Sequence, residues 1–172
     1  MMRTIRRLTV AAAALLACGA VLLHAGGFFL GLDKPANTST AAGERDIYVR
    51  AYGCAKPEQA KLTATAEGLM GNARKSLPLQ VTPTSESGLF LIRNQWPAEG
   101  NWVVVVTGAN GSLKSSLLVD ANRATQTGSR LLAPPNSPES AKAGQRIFHR
   151  TLAPAEIDAT LAMLAKQTHS GQ

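Results

Sequence analysis

The sequence predicts a mainly β protein, an immunoglobulin-like antiparallel β-sandwich with an N-terminal signal or anchor helix and a short C-terminal α-helix. Three observations carry this prediction. Short runs of alternating apolar and polar residues, bounded by Gly, Pro and Asn, fill the stretch from Asp46 to Asp120, and period-two alternation marks strands with one buried face. A basic start followed by a long uncharged run precedes them, which is the build of an export signal. A proline-opened segment with one apolar stripe closes the chain.

The N-terminal segment carries Arg3, Arg6 and Arg7, and Leu8 to Leu32 then contains no charge. That run is about 25 residues long, and roughly 20 suffice to cross a bilayer as a helix. The arginines are expected to stay on the cytoplasmic side, which places the C-terminal bulk outside. Residues 1–32 therefore read as a signal peptide or transmembrane anchor with three fates open. The run is retained as an anchor, or it is cleaved near Ala25, or Leu15-Leu16-Ala17-Cys18 acts as a lipoprotein signal and Cys18 is acylated. The length of the run past Cys18 favours the anchor. Residues 33–45, rich in Ala, Thr, Ser and Gly with one proline, read as a flexible tether.

Residues 46–121 are expected to form the sandwich. Asp46 to Tyr52 is the first strand run, with Ile47, Val49 and Ala51 alternating against Tyr48, Arg50 and Tyr52. Lys61 to Ala66 follows, with Leu62, Ala64 and Ala66 on one face. Leu77, Leu79 and Val81 make the third run, beyond a turn through Gly71-Asn72. Gly88 to Arg93 is the fourth. Trp102 to Thr107 is the fifth, and its consecutive valines suit a strand covered on both faces. Leu113 to Asp120 is the sixth. Asn110-Gly111 between the last two is a strong hairpin signal, and Pro97 and Gly100 suit a bend between the fourth and fifth. Ile47, Leu79, Leu91, Trp102, Val104 and Leu117 are the expected core.

Beyond Ala121 the alternation stops. Residues 122–145 contain Ala133-Pro134-Pro135-Asn136-Ser137-Pro138 and read as a Pro/Ser-rich loop. Residues 146–172 are expected to give one strand, Arg146 to Leu152, and an amphipathic helix opened by Pro154. Ile157, Leu161 and Leu164 repeat at helical spacing, while Glu156 and Asp158 sit where the helix dipole favours acids. Such a helix is too short to stand alone in water, so it is expected to pack on the sandwich or on a partner.

Composition excludes several classes. Net charge is +7, and three of those charges lie in the signal, leaving +4 for the rest. Arg50, Lys56, Lys61, Arg93, Lys114 and Arg130 are scattered along the chain, unlike the clustered footprint of a nucleic-acid binder. Gly108 to Ser115 nearly spells a phosphate-binding loop, but Leu113 stands where that loop needs glycine and no helix follows. No Gly-x-Ser-x-Gly elbow occurs. A thiol nucleophile would have to pair Cys54 with His149 from across the fold. The chain is therefore expected not to be an enzyme, and to carry no catalytic residue and no cofactor. Cys54 is expected to be buried or to pair with another molecule, since Cys18 lies in the signal. The soft-metal candidates Cys54, Met70, His149 and Met163 have no ligand spacing, and thiolate and thioether would suit copper(I) only if they converged.

One segment resembles a known family. Glu86-Ser87-Gly88-Leu89-Phe90, followed by Gln95-Trp96-Pro97-Ala98-Glu99-Gly100-Asn101-Trp102 and Val103 to Val106, is similar to the closing hairpin of YtkA-like and FixH-like extracytoplasmic domains. The resemblance covers about a fifth of the chain. It implies a small sandwich outside the cytoplasm, and in some relatives a role in metal handling or cytochrome oxidase assembly. The Met and His residues those relatives carry in earlier strands are reduced here to Met70. The expected function is a non-catalytic extracytoplasmic binding or assembly module tethered to the bacterial membrane. It would have the membrane and a protein as partners and no nucleic acid. A periplasmic copper-handling protein is the alternative.

Overall fold

A computed structural model describes residues 27–36, 43–70, 73–124, 129–135, 137 and 147–169. The alternating runs become strands: β1 (Phe29–Leu32), β2 (Ile47–Tyr52), β3 (Lys61–Met70), β4 (Ala73–Leu79), β5 (Val81–Pro83), β6 (Leu89–Ile92), β7 (Asn101–Asn110) and β8 (Leu113–Asp120). Two short strands, β9 (Leu131–Leu132) and β10 (Ile147–Phe148), and one helix, α1 (Pro154–His169), complete the described chain. The protein is mainly β, with antiparallel sheets and a single C-terminal helix, as the periodicity predicts.

One sheet has the order β1-β2-β6-β5, and the other runs β10-β8-β7-β3-β4 with β9 also on β8. Inward residues of both sheets share one core: Leu30, Ile47 and Val49 from the first meet Ala66, Trp102, Val104 and Leu117 from the second. Trp102 is fully buried, and its indole N–H donates to the Glu99 carbonyl at 2.7 Å. Gly68, opposite Trp102 across the β3–β7 pair, leaves the space that the ring occupies; a methyl group there would overlap the indole.

Strand β7 is the centre of the molecule. Val104 and Val106 face the inter-sheet core. Val103 and Val105 face a second apolar cluster with Leu118, Leu132, Phe148 and the helix residues Ile157, Leu161 and Leu164. The valine run is thus covered on both faces, as the sequence predicts, and α1 packs on the domain itself. Glu156 caps α1 by accepting the Ala153 N–H at 2.8 Å and holds Arg150 through two hydrogen bonds of 2.6 Å. Asp158 instead pairs with Arg74 and ties the helix to β4.

Several expectations change. The apolar run does not continue as an anchor through Leu32, because its last residues form β1 on the edge of the first sheet. Phe28 and Leu30 are buried there. Strand pairing with β2 satisfies the backbone and the sandwich interior takes the side chains, so these residues belong to the domain. Residues 33–45 consequently join two paired strands rather than an anchor to a domain. The described ends of this segment are held: the Asp33 N–H donates to the Tyr48 carbonyl at 3.2 Å, and the Gly43 N–H donates to Asp46 at 2.8 Å. The third expected run divides into β4 and β5, which lie in different sheets. Leu91 is buried but lies outside the inter-sheet cluster, because its register partner Tyr48 faces away from that core.

The bend from Trp96 to Gly100 does not close a hairpin. It carries the chain from β6 in one sheet to β7 in the other, with Trp96 inserted into the core on the way. The two-residue turn between β7 and β8 is Gly111-Ser112, one residue later than the Asn-Gly pair suggests, with Gly111 at φ +61°. Among the described residues no helix is long and apolar enough to cross a membrane. The expected anchor up to residue 26, including Cys18, and the Gly71-Asn72 turn lie outside the described residues.

Candidate functional site

Strand directions sort the candidate residues to opposite ends of the domain. In the β3–β7 pair Lys61 lies opposite Ala109 and Leu69 opposite Asn101. Cys54 follows β2 by two residues and leads into Lys61, so it belongs to the end with the β7–β8 turn. There it is half-buried, with a free thiol. Met70 terminates β3 at the other end, beside Gly100. A strand of this length spans about 30 Å, so sandwich topology separates Met70 from Cys54 rather than joining them. Met163 is half-buried on α1. Among the described residues no group of three His, Cys, Asp or Glu side chains is placed to hold a metal ion.

His149 is exposed just beyond β10, and its Nδ1 lies 3.3 Å from the Phe28 carbonyl oxygen. A carbonyl can only accept, so Nδ1 is the donor in this contact. This contact forms one wall of an open groove lined by Gly27, Phe28, Ser112, Leu113, Lys114, His149, Arg150 and Thr151. Three separate stretches build it: the start of the described chain, the β7–β8 turn and the β10–α1 connection. Arg150 is held in place by Glu156, and its guanidinium lies 5.7 Å over the Phe148 ring. Among the described residues, hydroxyl, imidazole and ammonium groups line the groove and no carboxylate does. Such a lining suits an anionic or hydrogen-bond-accepting group better than a cation.

Sequence reasoning singled out His149 as a base or ligand and Lys114 as part of a failed phosphate loop. It did not bring them together. The Asn110-Gly111 signal locates the turn that presents Leu113 and Lys114, but nothing local announces that β10 ends beside it.

A second polar cluster lies on the outer face of the first sheet. Arg50 pairs with Asp33, donates to Glu86 at 2.8 Å and reaches the Ser87 carbonyl at 3.0 Å, while the Tyr52 hydroxyl donates to Asp33 at 3.0 Å. The Arg50 guanidinium holds the Asp33 carboxyl below the usual carboxylate range, and burial pushes the Tyr52 hydroxyl up. The guanidinium is occupied on all three of its nitrogens, so the cluster fastens β1, β2 and the β5–β6 connection to one another.

Comparison of the chain with known protein families, with curated proteins and with solved structures finds no match.

Proposed function

We propose that the chain is a non-catalytic extracytoplasmic binding or assembly module tethered to the bacterial membrane, built on an immunoglobulin-like sandwich. One observation carries the tethering: three arginines and an uncharged run from Leu8 stand directly before a domain whose first core residue among those described is Phe28. That leaves roughly 20 apolar residues ahead of the fold, the length of a membrane-crossing helix. The sandwich reading is supported by strand order. The sequences β1-β2-β6-β5 and β4-β3-β7-β8 correspond to the A-B-E-D and C′-C-F-G arrangement of immunoglobulin-like domains.

The resemblance to YtkA-like and FixH-like domains belongs to the same reading. It rests on a Gly-aromatic strand leading through a bend into a valine-rich strand, the path from β6 to β7. The membrane is the partner of the N-terminal segment, and a second protein is the partner of the domain. Nothing in the placement of Cys54 and Met70 favours the copper-handling alternative.

A periplasmic-reporter fusion after Gln172, with alkaline phosphatase or β-lactamase, is expected to be active, and cytoplasmic behaviour would overturn the proposal. Intact mass of the membrane-extracted protein distinguishes a retained anchor from cleavage near Ala25 and from acylation at Cys18.

A further inference from the structure

We propose that the end of the domain carrying the β7–β8 turn rests on an anionic phospholipid surface, with Leu113 entering the interface and Lys56, Lys61 and Lys114 meeting lipid phosphates. The proposal rests on the membrane-tethered reading and deepens it by naming the face that meets the lipid.

The first argument is where the chain enters the domain. The apolar run continues through Ala25, and only Gly26 and Gly27 separate it from Phe28, which is 1% exposed. Gly27 lines the groove beside the β7–β8 turn, and its carbonyl abuts Gly53 so closely that no side chain fits there. The Asn110 amide donates to the Lys56 carbonyl at 3.4 Å, which joins the turn to the segment leading into Lys61. An anchor ending at Gly26 therefore holds this end of the domain, and no other, at the membrane surface.

The second argument is chemical. Among the described residues Leu113 is the single large hydrophobic left exposed, at 47%, and it stands at the tip of the hairpin. Lys114 follows it, and Lys56 and Lys61 are exposed on the neighbouring segment. Among the described residues the carboxylates on this side are engaged: Glu58 accepts the Ser87 hydroxyl at 3.1 Å, and Glu86 and Asp33 are both paired with Arg50. An apolar tip with basic residues around it is the pattern of an interfacial contact. Within a Debye length of an anionic leaflet, each lysine strengthens association about fivefold.

The test uses the full chain reconstituted into phosphatidylcholine vesicles with and without phosphatidylglycerol, with backbone amide exchange read at both ends. Phosphatidylglycerol is expected to slow exchange several-fold at residues 110–116 and to leave residues 96–100 unchanged. The combined variant Lys56→Glu, Lys61→Glu, Lys114→Glu is expected to abolish that difference, while slow exchange in β7 shows that the fold persists. Flotation with the vesicles is read on the same samples. Failure of the wild-type chain to float overturns the tethered reading and this proposal with it. Flotation with equal exchange of the turn in both lipids overturns the docking alone.

Discussion

Asp33 follows β1 directly, in a stretch whose composition suggests a free tether. Its carboxylate instead pairs with Arg50, accepts the Tyr52 hydroxyl and takes the Lys34 N–H at 2.7 Å. Arg50 is the main reason its acidity is raised in the fold, and the Lys34 N–H and Tyr52 hydroxyl add to it against the cost of burial. Because the folded pKa lies below the unfolded one, this stabilisation is fully present above the unfolded pKa and is lost as pH falls through the folded pKa. Asp33→Asn is therefore expected to lower the urea midpoint at neutral pH, and the gap to wild type should close in strong acid. The side chain is 32% exposed, so the effect should stay near about 1 kcal/mol or less. A gap independent of pH would show that the substituted amide disturbs packing rather than charge. Composition could not reveal this residue's role, because its partners lie on strands that come later in the chain.

At the scale of elements, β7 shows what a run of valines can and cannot say. Unbroken β-branched residues predict two covered faces, and both covers exist. Their identity is a matter of tertiary structure: Trp102 with Val104 and Val106 meets the opposite sheet, and Val103 with Val105 meets α1. Two substitutions probe the two faces. Trp102→Ala is expected to cost on the order of 3–5 kcal/mol and Leu161→Ala about 2–5 kcal/mol, both read by denaturant unfolding. Near-neutral behaviour of Leu161→Ala, against its 1% exposure, would mean that α1 detaches freely from the sheet. The turn after β7 illustrates a finer limit. Asn-Gly signals a hairpin from local preference, yet the register of Asn110 with Leu113 is set by side chains along both strands, and this moves the turn onto Gly111-Ser112.

For the whole molecule, the path of the chain between sheets decides which residues can act together. Met70 and Cys54 sit at opposite ends of β3, so copper(I) has no pair of soft ligands there to bridge. A competition titration of reduced protein against a copper(I) chelator is expected to show no stoichiometric site. Binding that Cys54→Ser or Met70→Leu removes would reverse this conclusion. The same path places His149 and Arg150 beside Ser112 and Lys114, and it brings the entry of the chain to that end as well. The candidate surface thus arises from topology, with no motif to announce it.

By itself the sequence determined the mainly β character, the strands β2, β6 and β8 almost to their ends and the central part of β7, the apolar stripe of α1 and the burial of Trp102. These follow from side-chain periodicity, turn chemistry and size, which are properties of neighbours along the chain. Tertiary structure decided that Phe29 to Leu32 belong to a strand and not to an anchor, since an apolar run is equally at home in lipid and in a core. It also decided that Leu91 faces away from the inter-sheet core and that β6 and β7 lie in different sheets. The physical reason is common to all three. Hydrophobicity says that a residue must leave water, but only the partner strands, far away in sequence, say what it is buried against.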